Sequence, residues 1–245
     1  MTRNELVATA NMTRLGDNPY PGRLIVVGMD KTGENAVEVY GIEGRGENSR
    51  NRVLSWEVGG RVFTEAADLS KMKDPSLIIY TAMKEEGRTF AVSNGVQTDS
   101  LASEGMIALD KYSYEPDFPN CTPRIAGMCF LCNCGAKDCR SPFFMLSILR
   151  KSLWGEECDR HFYTYRRIEP GYGFYVSTYT GNGDPLPSFV GEPCLMPIEG
   201  DIGNVALSYW EALDKENRVA LVVKFIPLSG APSIIRVINK YEKVG

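Results

Sequence analysis

Nine consecutive residues, Gly44-Arg45-Gly46-Glu47-Asn48-Ser49-Arg50-Asn51-Arg52, contain three arginines, two asparagines, a serine and two glycines, with no apolar residue among them. Guanidinium forks match phosphate and carboxylate oxygens bidentately and stay charged at any working pH. Glycine lets backbone approach a ligand closely. Arg45, Ser49, Arg50, Asn51 and Arg52 are therefore candidates to hold an anionic, hydrogen-bond-rich small molecule. The plainer alternative is a solvated basic turn, because loops lie mostly at the surface. A second polar stretch, Ser93-Asn94-Gly95-Val96-Gln97-Thr98-Asp99, precedes a helical pattern. Asn-Gly is a turn signal, and a helix N-terminus offers free N–H groups to an anion or a polarised carbonyl. An ordinary strand-to-helix turn capped by Thr98 or Asp99 would read the same way. A third stretch runs from Tyr114 to Arg124 and displays Glu115, Asp117, Asn120, Thr122 and Arg124 among three prolines. A carboxylate in a partly desolvated pocket can transfer protons near neutral pH. A rigid surface connection with an acid–arginine pair is the alternative, and such pairs often contribute little.

Other residue patterns carry less chemistry. Cys129, Cys132, Cys134 and Cys139 form C-x2-C-x-C-x4-C, a set that could hold zinc or an iron–sulfur cluster. The spacing matches no common zinc knuckle, and Cys129 falls in an apolar run where a buried thiol is at home. The single histidine, His161, lacks a G-x-S-x-G partner and precedes an aromatic strand, so it reads as structural. No phosphate loop or dinucleotide fingerprint follows a strand, which leaves nucleoside-triphosphate and nicotinamide chemistry without support.

The elements that must position these groups are mostly strands. Apolar or alternating runs over 23–29, 36–42, 53–58, 77–83, 89–93, 124–131, 143–149, 162–167, 174–179, 219–226 and 233–238 predict strands. Residues 98–111 and 201–213 carry helical stripes. Strands that outnumber helices in this order favour a mixed sheet sandwich with helices outside it over a doubly wound parallel sheet. The 245 residues suffice for one large domain, and no repeat or linker divides them. A net charge of −4 argues against nucleic acid as a general partner, so any anion site must be local. No stretch approaches the ~20 apolar residues of a membrane span. Without an apolar leader, and with an odd count of seven cysteines, the expected setting is a reducing cytoplasm.

Taken in order, the clusters resemble the archaeal-type IMP cyclohydrolase family. The resemblance rests on Tyr20-Pro21-Gly22-Arg23, Gly44-Arg45 through Ser49-Arg50-Asn51-Arg52, Asp74-Pro75 through Tyr80, Val92-Ser93-Asn94-Gly95 with Thr98-Asp99, and Thr122-Pro123-Arg124-Ile125. Trp210-Glu211-Ala212-Leu213 with Asn217-Arg218-Val219 is similar to longer bacterial members. The likeness spans the chain from about Tyr20 onward, leaving residues 1–19 as an N-terminal extension to a single domain over 1–245. It implies an α+β fold, a four-layer αββα sandwich of largely antiparallel sheets like that of the N-terminal-nucleophile hydrolases, without self-processing. It implies closure of the purine ring of 5-formamidoimidazole-4-carboxamide ribonucleotide to IMP and water, with no cofactor, no metal and a homo-oligomeric assembly. On this resemblance Arg45 and Tyr80 face the reacting amide and formyl oxygens, and Glu115 transfers the proton, a role Asp117 could exchange with it. Arg23, Arg50, Arg52 and Arg124 are phosphate candidates; Asn51, Asn94 and Asn120 are ribose or carboxamide candidates; Ser49, Gly95, Thr98, Asp99 and Thr122 complete the expected substrate-binding set. Two further readings stay open: an amide hydrolase of the same fold acting on another phosphorylated metabolite, and a non-enzymatic interaction module whose cysteine turn holds zinc.

Overall fold

A computed structural model describes residues 1–132 and 142–243. The chain opens with helix α1 (Arg3–Asp17), then runs β1 (Arg23–Met29), β2 (Asn35–Glu43), the single turn α2 (Glu47–Arg50), β3 (Arg52–Trp56), β4 (Val62–Ala66), β5 (Thr81–Glu86) and β6 (Thr89–Ser93). Helix α3 (Thr98–Glu104) continues into a 3-10 helix, Gly105–Lys111, and is followed by β7 (Arg124–Phe130), β8 (Phe143–Lys151), β9 (Cys158–Tyr165), β10 (Tyr172–Ser177) and β11 (Cys194–Pro197). Helix α4 (Ile202–Ala212), β12 (Arg218–Pro227) and β13 (Ile234–Asn239) complete it.

The strands form two sheets, one ordered β11-β10-β1-β2-β12-β13 and the other β3-β4-β5-β6-β7-β8-β9. Neighbouring strands pair antiparallel throughout the described residues. The sheets pack face to face over one apolar core, in which Ile25, Val27, Ile42, Val92, Ile125 and Phe144 are all essentially buried. Helices α1 and α4 cover the first sheet, and α3 with the 3-10 helix after it covers the outer face of the second through Leu101, Met106 and Leu109 packed on Ala91, Ala126 and Met128. The result is a four-layer αββα sandwich, the expected fold. Alternation explains it: a strand puts successive side chains on opposite faces, so central strands buried on both faces become nearly continuous apolar runs. β1 is buried along its whole length.

Several boundaries differ from the sequence reading, each for a local reason. The strand expected over 77–83 begins only at Thr81, because Pro75 opens a turn in which Ile78 and Ile79 both donate to its carbonyl. The helix expected over 98–111 changes to 3-10 geometry at Gly105, whose φ of 75° ends the α-helix there. α1 escapes the pattern because only Ala8, Asn11 and Leu15 are buried along it, a narrow stripe. Thr2 and Glu5 close a capping box at its start. The N-terminal extension is thus part of the outer layer: α1 lies on β11, with the Asn11 amide donating to the Leu195 carbonyl at 2.9 Å.

Candidate active site

Antiparallel pairing brings the starts of β1, β3, β5 and β7 and the ends of β2, β6 and β10 to one end of the sandwich. Arg23 opens β1, Arg52 opens β3, Tyr80 immediately precedes β5 and Arg124 opens β7. Glu115 sits on the loop before β7, pinned by its own N–H donating to the Thr122 carbonyl at 2.8 Å. All of these except Arg124 are buried, and Arg124 is largely so.

Arg52 is fully buried. Its Nε donates to the Ser49 carbonyl at 2.8 Å, while both terminal nitrogens have no protein partner among the described residues. The Nε of Arg23 is likewise buried without one. Buried donors of this kind are rare, and two mutually repelling guanidinium groups are rarer. Burial and then the charge of Arg23 pull the Arg52 guanidinium below its ordinary range. Burial pulls on Arg23 too, but the oxygens of Tyr80 and Glu115 overcome it and hold that group above its ordinary range.

The Glu115 carboxyl lies 3.8 Å from the Arg124 guanidinium. Burial pushes its pKa up to about 7 against the pull of Arg23 and Arg124, with Asp117 adding to the rise. That value suits a group that accepts a proton and returns it near neutral pH. Arg124 also donates to the Gln97 amide oxygen at 3.1 Å. Gly95 makes the approach possible: a Cβ there would sit 2.4 Å from the Arg124 guanidinium and 2.8 Å from the Gln97 oxygen. Opposite, the hydroxyls of Tyr40 and Tyr80 meet at 2.7 Å.

The expected residues divide into three groups. Arg23, Arg52, Tyr80, Glu115 and Arg124 come together, with Gly95 and Thr122 beside them. Arg45 stands at the rim: it is exposed, lies over the Tyr20 ring at 5.0 Å and donates to Asn182 Oδ1 and the Gly183 carbonyl. The rest are occupied by the protein itself. Arg50 donates to the Gly44 carbonyl and to Asn217, and Asn51 exchanges two hydrogen bonds with the Asp68 backbone. Arg50 and Asn51 border a separate hollow of about 480 Å³. Asn94 clamps β7 by accepting from Ile125 N–H and donating to the Pro123 carbonyl. Asn120 accepts from Leu186 N–H, Thr98 bonds Ser93 and the Gly95 carbonyl, Ser49 caps the α2 turn through Gly46, and the exposed Asp99 pairs with Lys84 at 3.2 Å.

Tyr40 and Gln97 were missed as site residues. The inward face of β2 reads Glu38, Tyr40, Ile42, and two polar groups on a face turned to the core were a usable signal. Gln97 had none beyond its nearness to Asn94-Gly95. Of the cysteine set, Cys134 and Cys139 lie outside the described residues. Cys129 is buried in β7, where burial first and the nearby Glu38 second push its thiol pKa well up. Among the described residues no three His, Cys, Asp or Glu side chains gather as a metal site, and no helix is long and apolar enough to cross a membrane. His161 lies on β9 opposite Ile148, with its Nε2 buried and no partner among the described residues.

A family profile described as IMP cyclohydrolase-like protein matches residues 20–230. No curated protein matches the chain.

Proposed function

Because the chain belongs to the IMP cyclohydrolase-like family, and so is an enzyme of that class, a hydrolase of purine-nucleotide metabolism, we propose that it closes the purine ring of 5-formamidoimidazole-4-carboxamide ribonucleotide to give IMP and water. The observation that carries this reading is the buried Arg23–Arg52 pair with unspent N–H groups facing a carboxyl whose pKa lies near 7. A nucleotide monophosphate brings negative charge into this cluster of buried cations, and the protein's overall acidity makes the site a local exception.

The reaction needs the carboxamide nitrogen to attack the formyl carbon, that nitrogen to lose one proton and the formamido nitrogen another, and the formyl oxygen to leave with both as water. Both reacting groups sit on one substrate, so holding them in contact supplies much of the acceleration without a covalent nucleophile. Glu115, when ionised, takes the proton from the attacking nitrogen; protonated, it delivers one to the departing oxygen. Tyr80 donates to the formyl oxygen as charge develops there, and the Tyr40 hydroxyl 2.7 Å behind it donates to Tyr80 in turn. Arg52 takes the role the sequence suggested for Arg45, because Arg52 is buried beside Tyr80 while Arg45 is exposed at the rim. Arg45 instead tethers the Asn182–Gly183 loop over Tyr20, where it can steady bound substrate. The enzyme class of the family displaces the zinc-module reading.

The test is turnover. Purified protein should convert the formamido ribonucleotide to IMP, with Arg52→Ala slowing kcat/KM by roughly 10²–10³, as loss of an oxyanion donor does. Arg45→Ala should cost roughly tenfold or less. Absence of ring closure by folded wild-type protein, or Arg45→Ala being the more damaging change, would reject this reading.

A further inference from the structure

Tyr179 follows the end of β10, is almost fully buried, and has no part in the chemistry above. Its ring stacks on Tyr20 with centroids 5.8 Å apart and planes at 18°. It also lies against Gly22, where a Cβ would sit 2.5 Å from the Tyr179 ring, so the ring is held next to Arg23 by a position that only glycine can fill. The hydroxyl is therefore fixed beside Thr122, near enough to Arg23 to feel its charge.

The hydrogen bonds of that hydroxyl can be oriented. Asp117 accepts the Thr122 backbone N–H at one carboxylate oxygen, 2.7 Å away, and the Thr122 hydroxyl at the other. Thr122 Oγ1 also meets the Tyr179 hydroxyl at 2.5 Å. A threonine hydroxyl has one hydrogen. Since Asp117 takes it, Thr122 can only accept from Tyr179, and the single hydrogen of Tyr179 is committed to Thr122. What Tyr179 presents elsewhere is lone pairs alone. We propose that the chain Asp117–Thr122–Tyr179 makes Tyr179 an obligate hydrogen-bond acceptor that reads an uncharged O–H or N–H donor of the bound nucleotide.

This inference rests on the nucleotide reading and adds to it a specificity residue and its polarity. In a purine ribonucleotide the available donors are the two ribose hydroxyls and the ring N1–H. A buried acceptor left without its donor is costly, so a ligand lacking that donor is discriminated against. Asp117 and Thr122 act through Tyr179 and are positioning residues. Their chain is also directional: an asparagine at 117 must keep its oxygen on the fixed Thr122 N–H, which turns its NH₂ toward Thr122 Oγ1. The threonine hydrogen then moves to Tyr179, and Tyr179 points its own hydrogen outward, a donor where an acceptor stood.

The experiment is calorimetric binding of IMP, 2′-deoxy-IMP, 3′-deoxy-IMP and 1-methyl-IMP to wild type, Tyr179→Phe, Asp117→Asn and the double variant at pH 8, with thermal melting as the check on folding. Tyr179→Phe should weaken IMP by about tenfold, the worth of a buried hydrogen bond. One of the three analogues, the one missing the donor, should bind wild type and Tyr179→Phe equally. Asp117→Asn should lose as much IMP affinity as Tyr179→Phe, and the double variant no more than either. Undiminished IMP binding by Tyr179→Phe or by Asp117→Asn overturns the inference alone, as does an equal loss for all four ligands. Folded wild type that binds none of the four overturns both this inference and the functional reading.

Discussion

Glu115 is the residue on which the proposed chemistry turns. Its raised pKa has a clear origin: burial disfavours the carboxylate, Arg23 and Arg124 resist, and Asp117 assists. If Glu115 must be ionised to accept the amide proton, kcat/KM should rise through an apparent pKa near 7 and level off above it. Arg124→Ala removes one of the cations that favour ionisation, so the rising limb should move to higher pH by about one unit, to be read from a pH–rate profile. An unmoved limb would assign the titration to another group. Glu115→Gln should lower kcat by at least roughly 10² while leaving IMP affinity within a few-fold, because the amide keeps the shape and loses the proton transfer.

The turn between β6 and α3 shows how an element can serve a site without touching a ligand. Asn94 spends its amide on β7, Thr98 and Ser93 close the turn, and Gly95 leaves the space in which Arg124 reaches Gln97. The atoms a new methyl would strike are the far ends of two side chains, which can move. Gly95→Ala should therefore displace Arg124 and cost roughly tenfold or more in kcat/KM, with the melting temperature changed by only a few degrees. A large loss of stability with unaltered activity per folded molecule would show that the glycine serves the backbone instead. The nine-residue arginine segment works in a similar way. Its α2 turn directs Arg50 outward onto Gly44 and Asn217, while the next strand carries Arg52 into the core.

Across the whole molecule, buried acids set the response to pH. Burial raises Glu38 to about 7, with Lys224 pulling it down and Glu85 adding to the rise. Burial also raises Glu43 to about 8. Both carboxyl oxygens of Glu38 lack a partner among the described residues. Lys224, opposite Glu38 on β12, gives its ammonium instead to Glu85 at 2.7 Å and the Gly60 carbonyl at 2.9 Å. A carboxyl whose folded pKa exceeds its unfolded value binds a proton more tightly when folded. Its contribution is complete below about pH 4.5 and is lost as pH rises through about 7 for Glu38 and about 8 for Glu43. Stability should therefore fall between pH 5.5 and 8.5. In Glu38→Gln, urea titrations at those two pH values should show a decline smaller by about 2 kcal/mol. An identical decline in variant and wild type would remove Glu38 from the account.

Residue order alone determined most strands, the presence of helices that start near 98 and 202, and the ordered polar clusters that carry the family likeness. These depend on local alternation, turn chemistry and caps, which neighbouring residues dictate. Which arginine goes inward was another matter. Arg45, Arg50 and Arg52 look alike in the sequence, and only the packing of two sheets buried Arg52, spent Arg50 on the protein and left Arg45 at the rim. Tyr40 and Tyr80 stand forty positions apart, and their contact exists because facing strands of different sheets bring them together. The polarity of Tyr179 is likewise tertiary, since it follows from where one threonine hydrogen goes once the loop before β7 has met the segment after β10. Side-chain type is written in the chain; burial, partnership and the direction of a proton are properties of the assembled core.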